Sequence, residues 1–162
     1  MAGAEALASV LRGRGVTVSL AESCTGGMVG AEITAVPGAS EYFLGSAVTY
    51  SDGAKEEVLG VPRGILATYG AVSPQTAALM ARGSRMVYGS DIAVSVTGIA
   101  GPAGAGDGPA GLVYTAASDS LGTTVEKHFF AGERDLVRRQ AADAALSLLA
   151  HRAEELLRSM NQ

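Results

Sequence analysis

Ser23 stands where an apolar stretch gives way to glycines, in the run Glu22-Ser23-Cys24-Thr25-Gly26-Gly27. A hydroxyl in that setting suits acyl transfer, because glycines let the backbone approach a ligand and unpaired N–H groups in a first helical turn can hold an oxyanion or a phosphate. The competing reading is that Ser23 or Thr25 merely caps the helix. The run is not the Gly-x-Ser-x-Gly elbow of hydrolases. A serine nucleophile needs a base, and the chain has two lysines, Lys55 and Lys127. Lys127 lies in a stretch whose alternation can turn it to water. Lys55 closes the run Tyr50-Ser51-Asp52-Gly53-Ala54-Lys55, where a predicted strand leads into a helix. A lysine in a first helical turn opposes the macrodipole, which disfavours the ammonium, and only a neutral amine can take the serine proton. The plainer alternative is an ordinary solvated lysine.

Two further groups could hold a substrate. The stretch 97–108 is dense in glycine and carries one charge, Asp107. Its backbone donors, including those of Thr97, Gly98 and Gly101, could cradle a phosphate or ribose, although it has neither a Walker ending nor a dinucleotide fingerprint. A close-packed connection explains it equally well. In the last predicted helix Arg134 and Arg138 fall toward the apolar stripe and Arg139 points away. Two guanidiniums near a helix N-terminus grip a monophosphate well; ion pairs with Asp or Glu are the alternative. His128 and His151 lie away from every predicted strand end, and Cys24 fits a small buried apolar residue better than a nucleophile.

These residues need a scaffold that brings strand ends together. Residues 4–14 read as a helix stopped at Gly15, and Val16, Val18 and Leu20 alternate as in a strand. A helix is predicted from Thr25 to just before Pro37, a strand over 42–50 and a helix from Asp52. Ser73 and Pro74 mark the start of a helix running to Tyr88, and 91–96 is a strand apolar enough to be buried on both faces. Residues 111–117 and 123–130 form an antiparallel hairpin, and a helix over 133–160 closes the chain. Strands alternating with helices plus one hairpin predict a three-layer α/β/α domain with a mixed, mostly parallel sheet. In such sheets ligands bind beyond the carboxyl ends of the strands, where Ser23, Lys55 and the 97–108 stretch all fall.

Composition bounds the function. With 162 residues, 48% of them hydrophobic, the chain can bury one core as a single domain, residues 1–162. A net charge of -4 gives no overall field for nucleic acid or for an anionic membrane. No basic leader or long apolar run is present, and one cysteine with two histidines offers neither an intrachain disulfide nor a Cys/His metal cluster. A cytoplasmic location is expected, and a homodimer or higher homo-oligomer.

The runs Ala21-Glu22-Ser23-Cys24-Thr25-Gly26-Gly27, Tyr50-Ser51-Asp52-Gly53-Ala54-Lys55, Gly70-Ala71-Val72-Ser73, Ser95-Val96-Thr97-Gly98-Ile99-Ala100-Gly101-Pro102 and Gly132-Glu133-Arg134-Asp135-Leu136-Val137-Arg138 together resemble the CinA C-terminal-domain family, in its order and spacing over nearly the whole chain. The resemblance implies a nicotinamide-nucleotide amidohydrolase that turns nicotinamide mononucleotide into nicotinic acid mononucleotide and ammonia, without metal or cofactor. It also implies Ser23 as nucleophile, Lys55 as base, Tyr50 in support and Arg134 or Arg138 as the site arginine; with that nucleophile, the backbone N–H groups at Thr25, Gly26 and Gly27 are the expected oxyanion donors. The block from Thr97 to Pro102 would line the nucleotide pocket. Longer members carry an additional N-terminal domain, and the resemblance here is to the stand-alone form. The family's glycines and Lys-Pro-Val-Gly after the Gly-Pro pair are here replaced by Asp107-Gly108-Pro109-Ala110-Gly111, without the lysine. A non-catalytic nucleotide-binding regulator, or a protein of competence or DNA-damage responses, is the alternative that this departure leaves open.

Overall fold

A computed structural model describes residues 2–103 and 108–162. Within them the chain runs α1 (Ala2–Leu11), β1 (Val18–Glu22), α2 (Met28–Thr34), a 3-10 turn (Ala39–Glu41), β2 (Phe43–Val48), α3 (Asp52–Leu59), α4 (Arg63–Tyr69), α5 (Pro74–Tyr88), β3 (Ile92–Gly98), β4 (Leu112–Asp119), β5 (Gly122–Phe129) and α6 (Arg134–Met160). The strands form one sheet in the order β2-β1-β3-β4-β5, with β1 parallel to β2 and β3 and the last two strands antiparallel. The expected mixed sheet with helices on both sides is borne out.

Alternation along the strands decides which layer each residue joins. Val18 and Leu20 of β1 and Val94 and Val96 of β3 pack with α1, α2 and α6 in the larger core. On the opposite face Ala21 meets Leu59, Leu66 and Met80 of α3, α4 and α5. All five β1 residues are buried, as a strand covered on both faces requires. The crossover from β1 to β2 carries α2 over one face, and that from β2 to β3 carries α3, α4 and α5 over the other. The two connections therefore leave the carboxyl ends of β1 and β2 toward opposite faces and open a crevice there, beside the carboxyl end of β3.

Three local expectations change. The helix predicted from Thr25 begins at Met28, because Gly26 and Gly27 both adopt left-handed backbone, φ 59° and 106°, and hold residues 24–27 as a turn. The helix predicted from Asp52 ends at Gly60, and Pro62 caps a separate α4. The hairpin turn is tighter than the sequence suggests, with Asp119 paired to Gly122. Far from the crevice, Arg152 of α6 is buried against that hairpin. Its Nε and Nη2 donate to the two Asp119 carboxylate oxygens at 2.9 and 2.6 Å, and Nη2 also donates to the Gly122 carbonyl. Among the described residues no helix is long and apolar enough to cross a membrane.

Candidate active site

β1 ends in Glu22, so the next residue, Ser23, leaves the sheet at the crevice; its amide still bonds the Val96 carbonyl of β3. β2, the neighbour of β1 in the sheet, ends at Val48 and is followed by Thr49 and Tyr50, and Ser51 starts α3 by accepting the Ala54 amide on its side chain. That cap sets Lys55 one turn into the helix, turned inward. Its Nζ lies 3.0 Å from Ser23 Oγ and donates to the carbonyls of Thr49 at 2.7 Å and Tyr50 at 3.2 Å. Lys55 is wholly buried, which sets aside the solvated reading. Burial holds its pKa below the ordinary lysine range, with the Asp52 carboxylate pulling the other way. Desolvation, rather than the helix dipole invoked from sequence, is the leading cause.

The turn that carries Ser23 is braced from below by a residue the sequence analysis left without a role. Glu22 is fully buried, and one carboxylate oxygen accepts from Thr25 Oγ1 at 2.7 Å and the Val29 amide at 2.9 Å. The other accepts from the Gly30 amide at 3.1 Å and Ser46 Oγ at 2.7 Å. The carboxylate thus serves as the cap of α2, whose first-turn amides it holds. Neither Ser23 nor Thr25 caps that helix; its N-cap residue is Gly27, with no side-chain bond. An acidic residue in a strand buried on both faces was the signal for this role.

Of the three expected oxyanion residues, Gly26 gives its amide to the Ser23 carbonyl at 3.0 Å. Among the described residues the Thr25 and Gly27 amides have no backbone or side-chain acceptor. Arg138 grips the same turn from outside, donating from Nε to the Cys24 carbonyl at 3.0 Å and from Nη2 to the Thr25 carbonyl at 3.2 Å. Cys24 itself is buried, and burial pushes its thiol up to about 11, so it stays protonated at neutral pH.

The crevice has a volume of about 350 Å³ and is lined by Ser23, Lys55, Tyr50, Arg134 and the residues from Thr97 to Gly101, with a far wall from α4 and the bend after it. Arg134 reaches across its mouth, donating to the Gly101 carbonyl at 2.6 Å and to the Tyr50 hydroxyl at 3.1 Å. The two arginines therefore divide: Arg134 lines the crevice, and Arg138 lies behind the turn. Ion pairing explains neither position, although Arg138 also has Asp135 at 3.9 Å; Arg139, pointing away, pairs with Asp135 at 2.7 Å. Tyr50 meets Lys55 through its carbonyl and Arg134 through its phenol, so its ring is at the rim rather than beside the amine.

Thr97 and Gly98 line the crevice as expected, but the Thr97 hydroxyl donates to the Ala71 carbonyl at 2.9 Å. Ser73 and Thr76 both donate to the Gly70 carbonyl, at 3.1 and 2.6 Å. Three hydroxyls thus fix the bend at 70–73 as a wall facing Ser23, a part of the site that the sequence analysis did not assign. Asp107 lies outside the described residues. His128 bonds Thr115 and His151 pairs with Glu155, both away from the crevice, and Lys127 rests over the rings of Tyr114 and Phe129. Among the described residues no three His, Cys, Asp or Glu side chains converge as a metal set would.

The family model for the CinA C-terminal domain matches residues 2–153. The chain belongs to the CinA C-terminal domain family. It is 51% identical over 148 residues to a CinA-like protein of Geobacter sulfurreducens, covering 91% of this chain and 36% of that one. A putative competence-damage inducible protein of Moorella thermoacetica is 46% identical over 142 residues, 87% of this chain and 34% of that one. The chain thus spans about a third of the length of these curated relatives. Among solved structures, a CinA superfamily protein of Klebsiella pneumoniae superposes with a TM-score of 0.90 at 34% identity, covering 95% of this chain and 97% of that one. The competence/damage inducible protein of Agrobacterium tumefaciens gives 0.86 at 35% identity, covering 99% and 94%. The resemblance read from the five sequence runs is borne out at the level of family and fold.

Proposed function

We propose that this CinA-family chain hydrolyses the carboxamide of a pyridine nucleotide, converting nicotinamide mononucleotide to nicotinic acid mononucleotide and ammonia through an acyl-enzyme on Ser23. The observation that carries the reading is the 3.0 Å approach of a buried lysine to a serine hydroxyl at the base of a crevice. A neutral amine has two hydrogens and one lone pair. The Thr49 and Tyr50 carbonyls accept the two hydrogens, and the lone pair is left for the proton of Ser23.

In the first half of the reaction Ser23 Oγ attacks the carboxamide carbon while Lys55 takes its proton. The C=O pair moves onto oxygen, which the Thr25 and Gly27 amides stabilise. When the tetrahedral centre collapses, the C–N bond breaks, the Lys55 ammonium returns the proton to the leaving nitrogen, and ammonia departs. Water then adds to the ester with Lys55 again as base, and release of the acid restores Ser23. Arg134 is suited to the substrate phosphate, since two of its five N–H donors are engaged at the crevice mouth and, among the described residues, the rest have no acceptor. The Thr97 to Gly101 backbone flanks the ribose, and the Thr97 hydroxyl acts indirectly by holding the wall at Ala71.

The test is to incubate the purified protein with nicotinamide mononucleotide and follow ammonia, alongside Ser23→Ala and Lys55→Ala. Each substitution is expected to lower kcat/KM by at least about 10³-fold with the melting temperature retained within a few degrees. Near-normal turnover by folded Ser23→Ala would sink the mechanism.

A further inference from the structure

The chain has five tyrosines, and four of them have a place in the fold. Tyr42 is fully buried, Tyr88 covers Gly45 so closely that a Cβ there would lie 2.6 Å from its ring, Tyr114 sits in the core beneath Lys127, and the Tyr50 hydroxyl is held by Arg134. Tyr69 has none. It is 48% exposed, and among the described residues nothing bonds its hydroxyl and no ring or cation meets its face. Yet its mount is rigid. It is the last residue of α4, directly before the bend that three hydroxyls pin, and it lines the same crevice as Ser23.

Its neighbours there share one chemistry. Leu66, one turn earlier on the same face of α4, lines the crevice with Val72 and Ile99, and Leu66 and Ile99 are buried. The crevice is therefore two-sided, with Ser23, Lys55, Tyr50 and Arg134 on a polar side and an apolar wall ending in a free aromatic face on the other. A small-molecule site of this kind orients a ligand by its few polar groups and seats its flat apolar part against the wall. An N-ribosylated pyridine carboxamide has such a part, and its ring is cationic, which the negative face of a tyrosine attracts.

Resting on the amidohydrolase reading, we propose that Leu66, Tyr69, Val72 and Ile99 seat the heteroaromatic ring that carries the scissile amide. Tyr69 stacks on that ring and sets the preference for a cationic pyridinium. It is a specificity residue that touches the substrate.

The test uses calorimetric titration of the full chain carrying Ser23→Ala, so that nothing turns over, with nicotinamide mononucleotide and ribose 5-phosphate as probes. Adding Tyr69→Ala is expected to weaken nicotinamide mononucleotide about tenfold and to leave ribose 5-phosphate within about twofold, with Tyr69→Phe close to the parent. In the otherwise unsubstituted enzyme, Tyr69→Ala raises KM about tenfold and moves kcat less than about threefold. Equal affinity with and without the Tyr69 ring, or equal losses for both probes, overturns the ring seat while the hydrolase reading stands. Tyr69-dependent binding without ammonia release by the unsubstituted protein retires the hydrolase and keeps the seat. Failure to bind nicotinamide mononucleotide at all overturns both.

Discussion

Lys55 carries a conflict between stability and activity. Its burial disfavours the ammonium, and its partners are two carbonyls and a hydroxyl with no carboxylate in contact. Because the folded pKa is depressed, folding disfavours protonation of this group. The folded state loses stability as pH falls through that depressed value, and the penalty fades as pH rises toward the ordinary lysine range. Under the proposed hydrolysis turnover should follow the same titration: the base must be neutral, so the rate is expected to climb with pH along an ascending limb set by Lys55 in the complex. Asp52, in the first turn of α3 and at the crevice edge, acts to raise that pKa. Asp52→Asn should therefore move the ascending limb to lower pH, measured as kcat against pH; a shift to higher pH, or none, would remove Lys55 from the role of base. Cys24, next to Ser23, is expected to resist alkylation at neutral pH because its thiol is buried and raised to about 11. Rapid labelling of the folded protein would contradict that.

At the scale of elements, the site is a meeting of two strand ends and two helix starts, and each joint has an identifiable fastening. Glu22 joins β1 to α2, to the turn that carries Ser23 and to β2 through Ser46. Glu22→Ala would leave two amides and two hydroxyls buried without their acceptor, costing about 3 kcal/mol by urea denaturation. Turnover should fall roughly tenfold or more as the turn loosens. A stable Glu22→Ala protein with unaltered kcat would mean that the brace does not reach the serine. Much of this assembly was legible in the sequence: Ser73 and Pro74 announced α5, and the strand ends at Ser23 and Thr97 fell where chemistry is expected in a parallel sheet. What the sequence left obscure depended on contacts between distant segments. The Thr97 hydroxyl has no role in the sequence until Ala71, 26 residues away, is found to accept from it. Arg134 and Arg138, a helical turn apart and both facing inward, look interchangeable until one meets Gly101 and the other the carbonyls of Cys24 and Thr25. The left-handed pair Gly26 and Gly27 delayed α2 by three residues, a turn that apolar periodicity does not register.

For the whole molecule, the crevice and the far end of the sheet are secured independently. At the far end, the Asp119–Arg152 pair closes the β4–β5 hairpin onto α6, with both side chains almost fully buried. Removing one partner strands the other: Arg152→Ala is expected to lower stability by about 3–5 kcal/mol, and a hydrophobic replacement of both residues to recover much of it. Neither residue lines the crevice, so KM of the folded fraction should not move. A raised KM would mean that the two ends communicate. The crevice end is held unequally. Beneath the crevice, Glu22 holds the sheet and the Ser23 turn with the same four bonds, so a change there is expected to be penalised in folding and in turnover together. On the crevice's apolar wall, Tyr69 is half in solvent, and among the described residues its hydroxyl and ring have no partner. A lineage adapting to a new amide is therefore expected to rewrite the α4 rim and keep the turn. A library randomised at positions 69 and 72, with the core residue Leu66 kept, should yield folded enzymes with altered amide preference, whereas one randomised across 22–27 should return mostly unfolded chains.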